Sequence, residues 1–160
     1  MNDQLDRQVL VQQVIVAMMM TGVVAFGAIV LLILPGRTTS PEMANLLLPV
    51  LGVLAVGELV AYGVIRGVVL GNVRRQIEQG PSAPGNEGKA LVAGQTLTLI
   101  RSAMAESVGL FGVVIVLISG NRLALVGPAL ALVIMALGFP TRNKLADLVS
   151  NLTGRNPYMS

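Results

Sequence analysis

Four long runs of apolar residues, separated by polar turns, dominate the pattern along this chain. The runs cover about residues 9–34, 44–70, 90–119 and 123–139. A helix of about 20 apolar residues crosses the roughly 30 Å hydrocarbon core of a bilayer. A short turn at 37–41, a polar segment at 72–89 and a tight turn at 119–122 separate the runs, and only the polar segment is a long loop. The pattern therefore predicts four transmembrane helices.

A fifth, shorter helix is predicted over about residues 141–152. Its apolar positions recur at helical spacing, opposite Lys144 and Asp147. These apolar positions are Leu145, Leu148, Val149 and Leu152. An amphipathic helix of this kind is expected to lie on the membrane surface. The fold class predicted is all-α: a polytopic membrane protein, one membrane domain over residues 1–160, with four transmembrane helices plus a short C-terminal amphipathic helix.

The positively charged residues divide unequally between the two sides that these spans define. The side that holds both termini and the 72–89 segment carries Arg7, Arg74, Arg75, Lys89, Arg142, Lys144 and Arg155. The other side carries only Arg37 and Arg122. Because cytoplasmic segments are enriched in Lys and Arg, we expect a multi-pass protein of the inner (plasma) membrane with both termini in the cytoplasm.

Composition narrows the chemistry that this chain can perform. Only 12% of its residues are charged, against about 25% in soluble domains. Cys and His are absent, which excludes disulfides, thiolate or imidazole metal ligands and His-dependent triads. The acidic residues form no calcium-binding loop, and the basic residues lack the aromatic neighbours of a nucleic-acid site. We therefore expect the lipid bilayer as the surroundings, and no enzyme activity, cofactor, metal or nucleic acid.

Four charged residues fall inside the predicted spans: Glu58, Arg66, Arg101 and Glu106. Each charge costs about 2.5–3.5 kcal/mol on insertion scales, so each requires a reason. Helical spacing places Glu58, Tyr62 and Arg66 on one face of the second helix and predicts a polar seam between the second and third helices. In one interpretation the two carboxylates and two guanidiniums neutralise one another and fix helix register. In the other, Glu106 is a proton or cation site.

Glycines recur every four residues in the second helix, at Gly63, Gly67 and Gly71. This spacing lets a neighbouring backbone approach closely. The favoured interpretation is packing within the chain against the third helix, which carries Ala105, Gly109 and Gly112. The alternative is a seam between identical subunits.

Residues 52–118 resemble the hairpin of rotary ATP synthase c subunits, the proteolipids. The likeness lies in the glycine-spaced helix, in Arg75-Gln76 within the connecting segment, and in the stretch Ala105-Glu106-Ser107-Val108-Gly109-Leu110-Phe111-Gly112-Val113-Val114. The resemblance implies that Glu106 takes the role of the ion-carrying carboxylate. It also implies that Arg75-Gln76 faces a catalytic head.

Two functions are therefore expected from the sequence. The first is a non-enzymatic membrane subunit or scaffold, which associates with itself or with other membrane subunits through helix faces and the cytoplasmic loop. The alternative is a c-subunit-like proton or cation carrier that uses Glu106. In both cases the first and fourth helices are expected to be plain lipid-facing segments, and function is expected on the second and third.

Overall fold

The computed structural model describes residues 2–33, 41–80 and 85–154, and every regular element in these ranges is helical. The elements are α1 (Asn2–Ile33), α2 (Pro41–Glu78), α3 (Asn86–Ser119), a 3₁₀ helix (Arg122–Leu125), α4 (Val126–Leu137) and α5 (Arg142–Thr153). The all-α class is confirmed. Leu34, the predicted end of the first helix, lies outside the described residues, as do Arg37, Pro81, Pro84 and Arg155.

The helices extend well beyond their apolar runs. α2 has 38 residues and α3 has 34, so at 1.5 Å per residue they measure about 57 Å and 51 Å. The segment at 72–89, predicted as a long loop, is mostly helical. An (i, i+4) pair, Arg74 Nε to Glu78 Oε1 at 2.9 Å, supports the last turn of α2. The Asn86 side chain donates to the Gly80 carbonyl at 2.7 Å and links the start of α3 to the end of α2.

α3 forms the centre of the molecule and contacts every other helix. Half of its most apolar stretch is buried, against 17% in α1 and 6% in α2. The expectation that the first and fourth helices are the plain lipid-facing segments is therefore corrected. α3 is the central helix, and α2 is the most exposed of the three long helices.

A valine repeat joins α1 to this core. Val9, Val16, Val23 and Val30 lie seven residues apart and are at most 7% exposed. A seven-residue spacing keeps the same face toward a neighbour that crosses at roughly 20°. Because Val9 packs near Leu91 and Val23 lies beside Gly109, α1 and α3 run parallel.

α4 is short and packs antiparallel to α3. Its 12 residues measure only about 18 Å, less than a bilayer core. α1, α2 and α3 are each long and apolar enough to span a membrane. The segment Arg122–Leu137 meets that criterion only together with Arg142–Thr153, from which it is bent by 66°. The described ranges thus support a membrane protein with three long spans, and the fourth span stays a prediction.

α5 packs against protein. Leu145, Ala146 and Val149 are buried, and a Cβ at Gly94 of α3 would lie 2.7 Å from Leu148 Cδ2. Thr141 caps the start of α5 by accepting from the Lys144 amide. Contrary to the expectation of a helix that turns its apolar side to lipid, α3 and α1 cover that side.

The start of α1, the end of α2, the start of α3 and α5 meet at one end of the bundle, here called the basic end. Asp6 and Arg142 form an ion pair of 3.4 Å, and Gln13 Nε2 donates to the Pro140 carbonyl at 3.0 Å. The described cationic residues of this end are Arg7, Arg74, Arg75, Lys89, Arg142 and Lys144. Arg122 lies in the turn at the opposite end.

Candidate functional site

Three of the four charged residues expected within the spans line one half-enclosed cavity between α2, α3 and α4. Its volume is about 320 Å³. Glu58 and Arg66 come from α2 and Arg101 comes from α3, together with the phenol of Tyr62. The apolar wall includes Leu59, Met104, Leu130 and Ile134. The cavity is therefore an apolar space with charged groups at a few positions on its wall.

Arg101 caps the end of α4. Its Nη2 donates to the Ile134 carbonyl at 3.1 Å, and its guanidinium atoms lie 2.7–3.0 Å from the position that a Cβ would take at Gly138. Lys144 Nζ donates to the neighbouring Leu137 carbonyl at 2.9 Å. The Ile134 carbonyl also accepts the Gly138 amide at 2.9 Å, so Arg101 adds a second hydrogen bond at the negative end of α4. Arg101 is therefore bound to the backbone of α4.

Glu58 joins α2 to α3 through a hydroxyl. Its Oε1 accepts a hydrogen bond from Ser107 Oγ. Sequence reasoning did not identify Ser107 as a partner of this carboxylate, although its place next to Glu106 on a polar stretch of α3 was a visible signal. The bond satisfies one oxygen of Glu58 without a cation.

Arg66 and Tyr62 occupy the part of the cavity that lies toward the basic end. They share a face of α2 with Glu58, as the spacing predicted, since all three line the cavity. Arg66 is exposed and Tyr62 is half-buried. Among the described residues, no hydrogen bond or ion pair involves the Arg66 guanidinium. Within the described residues the Arg66 guanidinium therefore has no anionic protein partner.

Glu106 lies away from the cavity, in the contact between α3 and α1. Its Oε1 is 3.7 Å from the position of a Cβ at Gly22, and no residue in the described ranges donates a hydrogen bond to it. The expected single seam between the second and third helices is thus divided between two helix contacts. Within the described ranges the ion pairs join Arg74 to Glu78 and Arg142 to Asp6, and none joins two of the four in-span charges.

Two glutamine side chains of α1 hold buried amide atoms without partners. Gln12 is only 2% exposed, and neither its Oε1 nor its Nε2 has a hydrogen-bond partner. Gln8 Oε1 is likewise buried without a hydrogen-bond partner. Buried polar atoms are nearly always hydrogen-bonded, to protein or to ordered water. Sequence reasoning missed Gln12, whose position between Val9 and Val16 on the buried face of α1 was the available signal.

The glycines that the sequence indicates as packing positions on α2 and α3 fall into two groups. A Cβ at Gly112 would lie 2.7 Å from Pro128 Cδ, and one at Gly109 would lie 2.9 Å from Ala131 Cβ, so these two allow α4 to approach α3. A Cβ at Gly63, Gly67 or Gly71 would meet nothing within 4 Å. The favoured interpretation, in which these three pack against the third helix, is therefore corrected.

Gly63, Gly67 and Gly71 belong to an exposed strip of α2, here called the glycine face. It consists of Val56, Val60, Gly63, Val64, Gly67 and Gly71. Its three valines are 61–63% exposed. The strip lies on the side of α2 opposite the cavity-lining residues Glu58, Tyr62 and Arg66.

The chemistry available at these positions is ionic and hydrogen-bonding. No group of three or more Asp or Glu side chains that could hold a metal ion occurs in the part of the chain that the structure describes. Comparison with protein-family models, with curated proteins and with solved structures finds no match for this chain.

Proposed function

We propose that this chain is a non-enzymatic integral membrane scaffold that assembles with a second copy of itself through the glycine face of α2. One observation carries the proposal. Three glycines at four-residue spacing lie open on a helix whose apolar stretch is only 6% buried within the chain. Each such glycine in a helix costs about 0.5–1 kcal/mol relative to alanine, a cost that a close helix–helix contact would offset.

The chemistry of the glycine face suits a close helix–helix contact. Without side chains at Gly63 and Gly67, a second backbone can come near enough for extended van der Waals contact. The flanking Val60 and Val64 are β-branched and hold few rotamers, so they lose little entropy on packing. A second copy presents the same strip, and a two-fold axis makes it self-complementary.

The orientation proposed is the one expected from charge. The basic end, with Arg74, Arg75 and Lys89, would face the cytoplasm of a cell with an inner (plasma) membrane. At the basic end, α2 and α3 would extend beyond the bilayer, and α5 packs against them. This end would be available to partner proteins, whereas the glycine face would lie within the lipid.

Cysteine cross-linking tests the assembly directly, since the chain contains no cysteine. We expect Val64→Cys to form an intermolecular disulfide in membranes under mild oxidation. The matched control is Val24→Cys on α1, because Val24 is 53% exposed and Val64 is 62% exposed. Equal cross-linking at the two positions would reflect random collision and would count against the proposed interface.

The second candidate function is a proton or cation carrier that uses Glu106, and a specific observation favours it. Glu106 has no described cation partner, and the orphaned amide of Gln12 lies toward the basic end of the same α1–α3 contact. Ser102, one turn before Glu106, is buried there. Water that satisfies Gln12 would begin a polar route toward the carboxylate.

Reconstituted vesicles separate the two functions. A carrier requires ion flux that Glu106→Gln abolishes and Glu58→Gln leaves in place, together with carbodiimide labelling of Glu106 that sodium or protons modulate. The scaffold proposal expects no flux from any of the three proteins. If flux appears and depends on Glu106, the carrier function replaces the scaffold as the better account.

A further inference from the structure

We propose that the cavity between α2, α3 and α4 binds a phosphate-bearing anionic lipid of the surrounding bilayer, with the phosphate at Arg66. The cavity volume of about 320 Å³ falls within the range of roughly 300–1,000 Å³ that is usual for ligand sites. Its wall is mostly apolar, with polar groups at a few positions, which is also the usual composition of such sites.

The location selects a lipid over a soluble ligand. The cavity is lined by residues of the long apolar helices α2 and α3, and Leu59 and Leu130, on its wall, are 69% and 43% exposed. In a membrane these side chains face acyl chains. A ligand that enters from this side must therefore be apolar over most of its length.

The charges place the head group. Arg66 has no partner among the described residues, and charged side chains of membrane segments usually pair with an opposite charge. Arg101 also lines the cavity, and it uses Nη2 for the Ile134 carbonyl. Because a guanidinium has five N–H donors, others remain available. Lipid phosphates are anions that arginine recognises well through charge-assisted hydrogen bonds.

Glu58 fixes the direction in which the lipid lies. It is eight residues from Arg66 on the same helix, which is about 12 Å along the axis. One oxygen of its carboxylate accepts a hydrogen bond from Ser107, and a carboxylate repels a phosphate placed beside it. The phosphate therefore belongs at the Arg66 side of the cavity, toward the basic end, where the head groups of one leaflet lie.

Lipid titration of the purified full-length chain in mild detergent tests the site. The unfolding midpoint is measured at increasing concentrations of phosphatidylglycerol, phosphatidylcholine or inorganic phosphate. The affinity for each is obtained from the shift of that midpoint. We expect the wild type to prefer phosphatidylglycerol and to respond little to inorganic phosphate. Since a hydrogen bond to a charged group contributes about 1.5–3 kcal/mol, we expect Arg66→Gln to weaken phosphatidylglycerol binding by about tenfold or more.

Two variants control for charge and for folding. Arg74→Gln removes an exposed arginine of the basic end that does not line the cavity, and it should keep the wild-type affinity. Arg66→Lys retains a cation and should bind more tightly than Arg66→Gln. Unliganded midpoints identify any variant that is simply unstable. Equal loss in Arg66→Gln and Arg74→Gln, no preference over phosphatidylcholine, or an equal response to inorganic phosphate would each overturn the proposal.

Discussion

The close approach of α3 and α4 at Gly112 gives the most direct stability prediction. At Gly112 of α3, an added Cβ would lie 2.7 Å from Pro128 Cδ and 2.8 Å from the Ala124 carbonyl oxygen. Ordinary van der Waals contact begins at 3.4 Å, so Gly112→Ala requires α4 to move away by about 0.7 Å. A proline ring and a backbone carbonyl cannot rotate out of the way. Overpacking of this kind costs about 1–3 kcal/mol.

The matched control is Gly57→Ala on α2, where an added Cβ meets nothing within 4 Å. There alanine should raise stability by about 0.5–1 kcal/mol, because it restricts the unfolded chain more than glycine does. Reversible unfolding in mixed detergent micelles measures both free energies. The expected result is a loss at Gly112 and a small gain at Gly57. If Gly112→Ala is as stable as the wild type, the close packing of α3 on α4 is wrong.

Four further changes give smaller or more local effects. Arg101→Met removes the hydrogen bond to the end of α4 and should lower the free energy of unfolding by about 1.5–3 kcal/mol, while Arg122→Met should be nearly neutral; equal effects would refute the capping role. Gly94→Leu should displace α5, seen as faster hydrogen exchange in α5 alone, and unchanged exchange would contradict its docking. Asp6→Asn should change stability by less than about 1 kcal/mol, because the ion pair is exposed; a larger loss would show a buried role. Gln12→Leu should stabilise the protein by about 1–3 kcal/mol if its amide is unsatisfied, and a loss of stability would show that water or another partner binds it.

The helical elements could be predicted from the sequence because each carries a long apolar run or a clear period. α5 was predicted within one residue at each end, since its leucines and Val149 follow a 3.6-residue repeat. The lengths of α2 and α3 could not be read in the same way. Hydropathy identifies the apolar part of a helix but not the residues at which the helix begins and ends. α2 continues through polar residues as far as Glu78, and α3 begins among polar residues at Asn86.

The partners of the charged residues were beyond the sequence. Periodicity correctly gave Glu58, Tyr62 and Arg66 one face, because that relation lies within a single helix. Arg101, however, bonds to a backbone carbonyl 33 residues away, and no side-chain pattern identifies a carbonyl as a partner. The direction of Glu106 toward α1 depends on which helix lies beside α3, which is a property of the assembled bundle.

The spacing of glycines likewise does not identify the helix that they contact. It indicates that a close approach is possible, but not which helix makes it. The chain carries such glycines on both α2 and α3, and only the packed bundle shows that Gly109 and Gly112 face α4 or α1 while Gly67 stays open. Four-residue spacing alone therefore could not decide between internal packing and an interface with a second molecule.

The native mass of the purified chain in lipid nanodiscs tests the central claim, self-association through α2, most directly. We expect the wild type to be a dimer or a larger oligomer and Gly67→Leu to be a folded, helical monomer. Ala28→Leu, at an exposed small residue of α1, should keep the wild-type mass. A monomeric wild type, or a Gly67→Leu variant of undiminished mass, would contradict the assembly proposed here.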